Sequence, residues 1–301
     1  MEQTIISWWT AIRPRTLTAA FVPIVVATSL VKASGYSVDW LISLYALLFA
    51  FCIQIATNLI NDVLDFKKGA DNSDRLGSPR VTQLGWLTPN QVMTGATIAL
   101  LMAAIFSVPL ISIGGAAMGW VALFSLVCAY LYTGGPFPLA YVGLGDVFVL
   151  LFFGWVATVA VFFLQTQTLS PYALLAGTQI GLLAVAMIAI NNLRDMDSDG
   201  FVGKRTLAVR LGRYAASYQI AFAISAPFFL GIIWLVTGET FAGLFPLILL
   251  PFAVKLANQV AKTEPSKEYN RLLCRASFLH LGFGLLLSLG LWINYFTLLI
   301  A

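Results

Sequence analysis

Two short stretches of the sequence place acidic and amide side chains at helical spacing. Each contains an asparagine followed four residues later by an aspartate, and a further aspartate three or four residues beyond that. Because residues four apart lie on the same face of an α-helix, each stretch presents several side-chain oxygens together. The residues are Asn58, Asp62 and Asp65 in the first stretch, NLINDVLD, and Asn191, Asp195 and Asp199 in the second, NNLRDMDSD.

These oxygen atoms are the kind of ligand that suits a magnesium ion. Mg²⁺ binds to one or two carboxylates and fills the rest of its shell with waters and substrate phosphates. Neither stretch contains a histidine or a cysteine, which argues against zinc and copper. The six residues above are therefore predicted to bind Mg²⁺.

Basic residues flank both stretches. Metal ions together with Lys and Arg side chains are how proteins hold a diphosphate, so the flanking cations predict a diphosphate site. The candidates are Lys68, Arg75 and Arg80 beside the first stretch, and Arg194, Lys204 and Arg205 beside the second. We call residues 58–75 the first station and residues 191–204 the second station.

Both stations end long apolar runs. The chain of 301 residues is 59% hydrophobic and only 10% charged, with a mean hydropathy of +0.88, whereas soluble domains have about 25% charged residues. Runs of about 20 apolar residues predict membrane spans, and the absence of polar alternation disfavours transmembrane strands. The sequence predicts an all-α bundle of about nine transmembrane helices, at residues 16–33, 41–61, 92–113, 116–132, 142–164, 172–193, 216–236, 241–257 and 277–299.

The basic residues also predict the orientation. With the N-terminus in the cytoplasm, 16 of the 17 Lys and Arg residues fall on the cytoplasmic side, and only Lys32 lies outside, as the positive-inside rule requires. This bias accounts for most of the net charge of +4, so the charge does not indicate nucleic-acid binding. It is compatible with attraction to membrane lipid headgroups.

The two stations are predicted to lie at the same depth. Asn58 and Asp62 recur 133 positions later as Asn191 and Asp195, and the two spans that carry them run in the same direction in the predicted topology. A duplicated helical unit of this kind would bring both stations to the cytoplasmic end of the bundle. Ionisable residues at membrane depth are costly and are therefore candidates for function.

The stretches NLINDVLDFKKGADNSDR and NNLRDMDSDGFVGKRTLAVRLG resemble the two aspartate-rich motifs of the UbiA superfamily of intramembrane prenyltransferases. Together with RPRTLTAAFVP at 13–23 and YTGGPFPLAYVGLGD at 132–146, they are most similar to the branch that prenylates 1,4-dihydroxy-2-naphthoate for menaquinone. The resemblance implies one transmembrane prenyltransferase domain over residues 1–301. It also implies a bacterial cytoplasmic membrane location, with the active site facing the cytoplasm.

The chemistry that the resemblance implies agrees with the residues. An allylic polyprenyl diphosphate would bind at the two stations, bridged by two Mg²⁺ ions, with its tail in an apolar tunnel. Ionisation of the diphosphate would give an allyl cation. The ring carbon that bears the carboxylate of 1,4-dihydroxy-2-naphthoate would attack this cation, and loss of CO₂ would give a demethylmenaquinol. Asp62, Asp65, Asp195, Asp199 and Lys204 are the implied catalytic residues.

The first motif departs from the general family spacing. The family has an aspartate four residues after the position of Asp62, whereas this chain has Phe66 there and Asp65 one position earlier. Asp71 and Asp74 follow, after an insertion that contains Gly69. Asp65, Asp71 and Asp74 are thus alternative third acids of the site.

Further roles are assigned by position. Arg13, Arg15 and Tyr132 are predicted to bind the acceptor, with the two arginines either on its carboxylate or on lipid headgroups. Asp146 is predicted either to accept the proton of an acceptor hydroxyl or to complement a helix dipole. Aromatic rings could shield the allyl cation through their π faces, and the candidates are Tyr130, Tyr132, Tyr141 and Phe153.

Two alternatives to this function remain at the level of sequence. One is a sister prenyltransferase that uses a phytyl donor or another aromatic acceptor, such as hydroxybenzoate or homogentisate. The other is a transporter of divalent cations or organic acids, with the duplicated stations as its site. A transporter would place polar residues near the bilayer midplane, whereas the acids here cluster at one side, which favours the enzyme.

Overall fold

The computed structural model describes residues 2–71 and 75–300 and is helical throughout its ordered elements. The elements are α1 (Glu2–Ile12), a 3-10 turn (Pro14–Leu17), α2 (Thr18–Ala33), α3 (Trp40–Lys67), α4 (Pro89–Leu131), α5 (Gly145–Val149), a π-helical segment (Leu150–Val156), α6 (Ala157–Thr166), α7 (Pro171–Arg194), α8 (Met196–Phe201), α9 (Leu207–Val236), α10 (Thr240–Leu244), a 3-10 segment (Phe245–Leu249), α11 (Leu250–Lys262) and α12 (Tyr269–Ile300). No strand occurs in these residues, which confirms the predicted all-α class.

The described residues contain eight helices that are long and apolar enough to cross a membrane, compared with about nine predicted spans. The difference arises in α4, where the predicted spans 92–113 and 116–132 form one helix of 43 residues. A straight helix of that length would extend about 65 Å, roughly twice the ~30 Å hydrocarbon core. It is not straight, because Gly115 adopts φ 63° and ψ −153° and divides it into two segments.

Capping residues define where several of the long helices begin. The Asp39 carboxylate accepts hydrogen bonds from the first amides of α3. Thr88 and Gln91 form a reciprocal capping box at the start of α4, and Thr206 caps α9. These side chains satisfy amides that have no partner within the helix. The cap of α3 fixes the start of the helix whose last turns carry the first station, and Thr206 fixes the start of the helix that follows the second station.

The first helix is short and has one apolar exposed side. Ile5, Ile6 and Trp9 are largely exposed, whereas Trp8 packs against Gly95 of α4. This pattern is typical of a helix in the interfacial region of a membrane.

A large internal cavity lies between the helices. Its lining comes from the end of α1, the 3-10 turn, α2, α3, both segments of α4, α5, the π-helical segment, α6, α7 and the start of α12, and from the connections that follow α3 and α4. Helix α7 is the most buried of the spanning helices, and it packs against α9, α12 and the π-helical segment. Its last turn carries the second station, while the last turns of α3 carry the first. The fold therefore brings the two stations to the same end of the bundle.

Candidate active site

The large cavity has a volume of about 640 Å³ and changes character along its length. One part is lined by apolar side chains of α4, the π-helical segment and α6, including Leu110, Met118, Phe152, Phe153 and Leu164. The other part is polar and is lined by Arg13, Arg15, Asn58, Asn61, Arg75, Arg80, Asn191, Arg194 and Asn270. The arrangement fits a ligand with a long apolar tail and a highly charged head.

The first station ties α3 to the segment that follows α1. The side-chain amide of Asn58 donates to the Ile12 carbonyl and to the Thr16 hydroxyl, both at 2.9 Å. Asp62 is buried, accepts a hydrogen bond from the Thr82 amide at 3.0 Å, and lies 3.9 Å from an Arg13 nitrogen. Asn58 lines the large cavity, but Asp62 lies behind its wall.

Asp65 faces a second, smaller cavity of about 30 Å³ that is lined mostly by polar groups. Its side chain is buried, with Oδ1 accepting a hydrogen bond from the Tyr141 hydroxyl at 2.8 Å and Oδ2 lying 3.9 Å from Lys204 Nζ. Asp195 lines the same small cavity. Of the alternative third acids, Asp65 is thus the one that shares a cavity with the second station.

Asp71 has a different position. It is buried and forms ion pairs with Arg75 and with Arg80, whose Nε lies 3.2 Å from Asp71 Oδ2. Both arginines line both cavities, whereas Asp71 lines neither. Asp71 therefore holds two cations at the site from behind. Asp74, the remaining alternative, lies outside the described residues.

The second station is centred on one arginine. Arg194 donates two hydrogen bonds to Asp195, at 2.8 and 2.6 Å, and one to the Asn191 side-chain oxygen at 2.8 Å. A further bond of 2.8 Å goes to the side-chain oxygen of Asn270, whose amide in turn donates to the Leu76 carbonyl. Asn270 of α12 thereby links the second station to the segment that follows α3.

Charged groups bridge the two stations. Arg75 Nη2 lies 3.8 Å from Asp195, and Lys204 lies 3.2 Å from Asp199 as well as near Asp65. Burial raises the pKa of Asp195, but the hydrogen bonds and charge of Arg194 outweigh this effect, so its pKa falls below the usual range. Burial raises the pKa of Asp199 to about 6. Asp199 lines neither cavity and is bound to Lys204 instead.

Asp146 has surroundings unlike those of the station acids. It is buried at the start of α5, lines the small cavity, and accepts hydrogen bonds from Gln219 Nε2 at 2.7 Å and Asn192 Nδ2 at 3.4 Å. Among the described residues it forms no ion pair with a lysine or arginine. A carboxylate bonded only to neutral amides is free to accept a proton.

The residues predicted to meet the acceptor and the allyl cation have separate positions. Arg13, Arg15 and Tyr132 all line the large cavity, and Tyr132 also lines the small one. Phe153 lines the large cavity, but Tyr130 is 46% exposed and lines neither. The Tyr141 side chain is directed to Asp65 and two lysines.

Two of the predicted diphosphate-binding cations do not reach either cavity. Lys68 is exposed and its ammonium donates to the Thr133 carbonyl at 2.6 Å. Arg205 is exposed, and only its backbone amide contacts the site region, through the Tyr141 carbonyl. Both follow the end of a helix, where the direction of a side chain depends on the turn and cannot be obtained from helical spacing. Arg75, Arg80, Arg194 and Lys204 do line the cavities.

Sequence reasoning missed four polar residues of the site, namely Asn61, Asn192, Gln219 and Asn270. Asn61 lines both cavities and Asn192 the small one. Each is adjacent to a predicted residue, so an extended search of the two motifs for amides could have found them. Gln219 and Asn270 act on partners more than 70 residues away, and no local pattern indicates them.

The donor set of the site fits a hard cation such as Mg²⁺, because it consists of carboxylate and amide oxygens. Among the described residues, however, no three acidic, histidine or cysteine side chains converge on one point. Five of the station acids are paired with an arginine or a lysine instead, namely Asp62, Asp65, Asp71, Asp195 and Asp199. Of the six predicted ligands, Asp65, Asn191 and Asp195 line the small cavity.

Comparison with known proteins identifies related sequences over nearly the whole chain. The sequence profile of the UbiA prenyltransferase family matches residues 20–282. A protein of Escherichia coli (strain K12) named 1,4-dihydroxy-2-naphthoate octaprenyltransferase is 35% identical over 295 residues, covering 96% of both chains. A protein of the same name from Bacillus subtilis (strain 168) is 34% identical, over 96% of this chain and 93% of its own.

Solved structures share the fold at low sequence identity. A UbiA homolog from Aeropyrum pernix K1 superposes with a TM-score of 0.66 at 13% identity, covering 93% of this chain and 97% of its own. A UbiA homolog from Archaeoglobus fulgidus, bound to DMAPP and Mg²⁺, gives a TM-score of 0.60 at 14% identity, covering 94% and 99%. These similarities support a membrane helical bundle.

Proposed function

Because the chain belongs to the UbiA prenyltransferase family and is a prenyltransferase, we propose that it transfers a polyprenyl group from an allylic diphosphate to 1,4-dihydroxy-2-naphthoate. The acceptor is inferred from relatives of that name. The observation that carries the proposal is the large cavity, which runs from an apolar end to a cluster of arginines and asparagines. Such a cavity suits a polyprenyl tail and a diphosphate head.

The diphosphate would bind to four of the cations that line the cavities, Arg75, Arg80, Arg194 and Lys204. Guanidinium groups form bidentate hydrogen bonds with phosphates. Mg²⁺, when bound, would neutralise part of the diphosphate charge and so favour its departure. Asp65 and Asp195 are best placed to hold it, because both line the small cavity, whereas Asp62 and Asp199 line neither cavity.

The acceptor would lie where the two cavities meet. Tyr132 lines both cavities, Arg15 lines the polar part of the large one, and Asp146 lines the small one. An arginine at the acceptor carboxylate, either Arg13 or Arg15, would orient the ring. The apolar wall, including Phe153, would exclude water from the allyl cation.

The proposed reaction conserves atoms and charge. The bond between the prenyl carbon and the diphosphate oxygen breaks, and a new bond forms from that carbon to the ring carbon that bears the carboxylate. Asp146 accepts the proton of the neighbouring ring hydroxyl as this carbon becomes tetrahedral. Loss of CO₂ then restores the aromatic ring as an enolate, which takes the proton back from Asp146 to give demethylmenaquinol.

We further propose that the enzyme resides in the bacterial cytoplasmic membrane with the stations facing the cytoplasm. Both stations end helices at one end of the bundle, and the lysines and arginines of the chain concentrate around them. A cytoplasmic opening would admit the charged head of the donor and the water-soluble acceptor, while the tail would enter from the lipid.

The test is a reconstituted reaction of the purified protein with Mg²⁺, polyprenyl or phytyl diphosphate, and one of three acceptors. We expect diphosphate, CO₂ and a prenylated naphthoquinol with dihydroxynaphthoate, and no product with hydroxybenzoate or homogentisate. If product formed with hydroxybenzoate or homogentisate but not with dihydroxynaphthoate, the proposed acceptor would be refuted. Mg²⁺ flux into liposomes without any prenylated product would refute the enzyme and favour a transporter.

A pair of substitutions in neighbouring residues tests the site. Asp195→Asn removes a carboxylate that lines the small cavity, whereas Asp197→Asn changes an exposed carboxylate two residues away. We expect the first to abolish turnover and the second to leave it unchanged. Full activity of Asp195→Asn would refute the role of the second station.

A further inference from the structure

Tyr141 lies in the connection between α4 and α5 and contacts both stations. Its hydroxyl donates to Asp65 of the first station at 2.8 Å, and its carbonyl accepts from the Arg205 amide, beside the second station, at 2.9 Å. The connection itself is fixed, since the Ala140 amide donates to the Tyr132 carbonyl and Arg210 donates to the Val142 carbonyl. Tyr141 therefore links the first station to the segment that follows the second station.

The ring of Tyr141 lies close to two ammonium groups. Lys68 Nζ lies 4.1 Å from the ring centroid and Lys204 Nζ lies 5.6 Å from it. A π face attracts a cation without cancelling its charge. Lys68 lies outside both cavities and donates one hydrogen bond to the Thr133 carbonyl. It forms no ion pair with a carboxylate in the described part of the chain, so its charge and its two other N–H donors remain available to an anion. The ring of Tyr141 thus contacts two cations, one from each station, and holds them close to each other.

The hydroxyl of Tyr141 acts on the acid that departs from the general family spacing. Helix positions are about 100° apart, so Asp65 is turned about 60° from Asp62 to one side, whereas position 66 is turned about 40° to the other. Phe66 occupies that position and is 39% exposed, while Asp65 is only 2% exposed and lines the small cavity. The hydrogen bond from Tyr141 fixes the carboxylate in this direction.

We propose that Tyr141 is a positioning residue with two separable roles, in which its ring holds Lys68 and Lys204 for a diphosphate and its hydroxyl orients Asp65 for a divalent cation. The inference rests on the proposed function, because it assumes that the stations bind a metal diphosphate. Two substitutions separate the roles. Tyr141→Phe keeps the ring and removes the hydroxyl, whereas Tyr141→Leu removes both.

The experiment measures binding of inorganic pyrophosphate to the full-length protein in detergent, by calorimetry, with and without Mg²⁺. For Tyr141→Phe we expect metal-free affinity within about twofold of the native protein and a Mg²⁺ concentration for half-maximal effect raised about tenfold, because a hydrogen bond to a charged group is lost. For Tyr141→Leu we expect metal-free affinity to fall about tenfold as well, because two cation–π contacts are lost. Tyr130→Phe and Tyr130→Leu are matched controls on an exposed ring and should change neither quantity.

The outcomes distinguish the positioning role from the reaction. Native metal-free affinity in Tyr141→Leu, or equal effects of both substitutions on both quantities, would overturn the two roles of Tyr141. A native protein that binds magnesium pyrophosphate but does not prenylate dihydroxynaphthoate would refute the proposed acceptor and leave the role of Tyr141 standing. A native protein that binds no pyrophosphate would overturn both. If Tyr141→Leu does not fold, Tyr141→Phe still tests the hydroxyl through its Mg²⁺ dependence.

Discussion

Asp146 provides the sharpest test of the proposed chemistry, because its role in catalysis and its role in stability predict opposite results. The side chain is 5% exposed, and its two oxygens accept hydrogen bonds from Gln219 and Asn192. The substitution Asp146→Asn keeps the shape of the side chain and removes its charge and its basicity. An asparagine can still accept the shorter of these bonds, from Gln219, with its one remaining oxygen.

The expected effect on stability is small. A hydrogen bond to a charged group is worth about 1.5–3 kcal/mol, and part of this is lost. In compensation, the protein no longer buries a carboxylate without a cation beside it, and the penalty for burying an ion is several kcal/mol. We therefore expect the melting temperature of Asp146→Asn to equal or exceed that of the native protein.

The expected effect on turnover is large. General base catalysis contributes about 10²- to 10⁴-fold to a rate, which corresponds to roughly 3–5 kcal/mol in the activation barrier. We expect kcat to fall by this factor while the KM of the donor stays unchanged, because Asp146 does not contact the diphosphate-binding arginines. The assay measures prenylated naphthoquinol by mass spectrometry and stability by thermal unfolding of the same preparation.

A double substitution supplies the control. Asp146→Asn combined with Gln219→Glu exchanges the two partners, so that a carboxylate again bonds to an amide, but the carboxylate now belongs to α9 and to a residue that does not line the small cavity. We expect normal stability and no recovery of turnover. A kcat above one tenth of the native value in Asp146→Asn, or recovery in the double variant, would refute Asp146 as the base.

Three further predictions follow from the charged cluster. In Gly77→Ala, the added Cβ would lie 2.5 Å from Arg194 Nη2 and 2.7 Å from Arg75 Nη2, so we expect the KM of the donor to rise about tenfold. In the control Gly200→Ala, the added Cβ has no atom nearer than 3.7 Å, and the KM should stay unchanged. Equal KM values for the two variants would contradict the placement of the arginines. Asp71→Asn leaves its two arginine partners buried without their common carboxylate, and we expect a loss of about 3 kcal/mol in the free energy of unfolding, measured by thermal unfolding; an unchanged melting temperature would contradict this. Chelation of divalent cations should stop turnover without changing the melting temperature, because the acids already have cationic partners, and a large fall in melting temperature would show that a metal holds the fold together.

Much of the fold could be predicted because hydropathy is a local property. Length and apolarity predict the spanning helices, and the position of the two motifs at the ends of apolar runs predicts that the stations lie at helix ends. The number of spans does not follow from hydropathy in the same way, because a glycine break within α4 separates two segments without interrupting the helical hydrogen bonding on either side. Hydropathy detects the two segments but does not show whether a loop or a kink joins them.

The pairing of charges could not be predicted in the same way. The sequence shows that acids and bases are close along the chain, but it does not show which acid faces a ligand and which faces an arginine. Asp62 and Asp71 lie in the same short stretch of sequence as Asp65. In the structure, however, they lie behind the cavity wall, where Asp62 is bound to the Thr82 amide and Asp71 to Arg80. Such assignments depend on how the connection after α3 folds back over the helix ends, which is a tertiary property.

The two kinds of carboxylate suggest how one site can bind a charged diphosphate and also accept a proton. Five of the station acids lie beside guanidinium or ammonium groups, in a cluster of opposite charges that suits the binding of ions. Asp146 is bonded to neutral amides and suits the binding of a proton. The two cavities share only six lining residues, among them Tyr132 and Asn191. In the proposed reaction the donor tail occupies the large cavity and the proton acceptor lies in the small one, so the new carbon–carbon bond would form at this junction, and side chains there would decide which ring carbon is attacked.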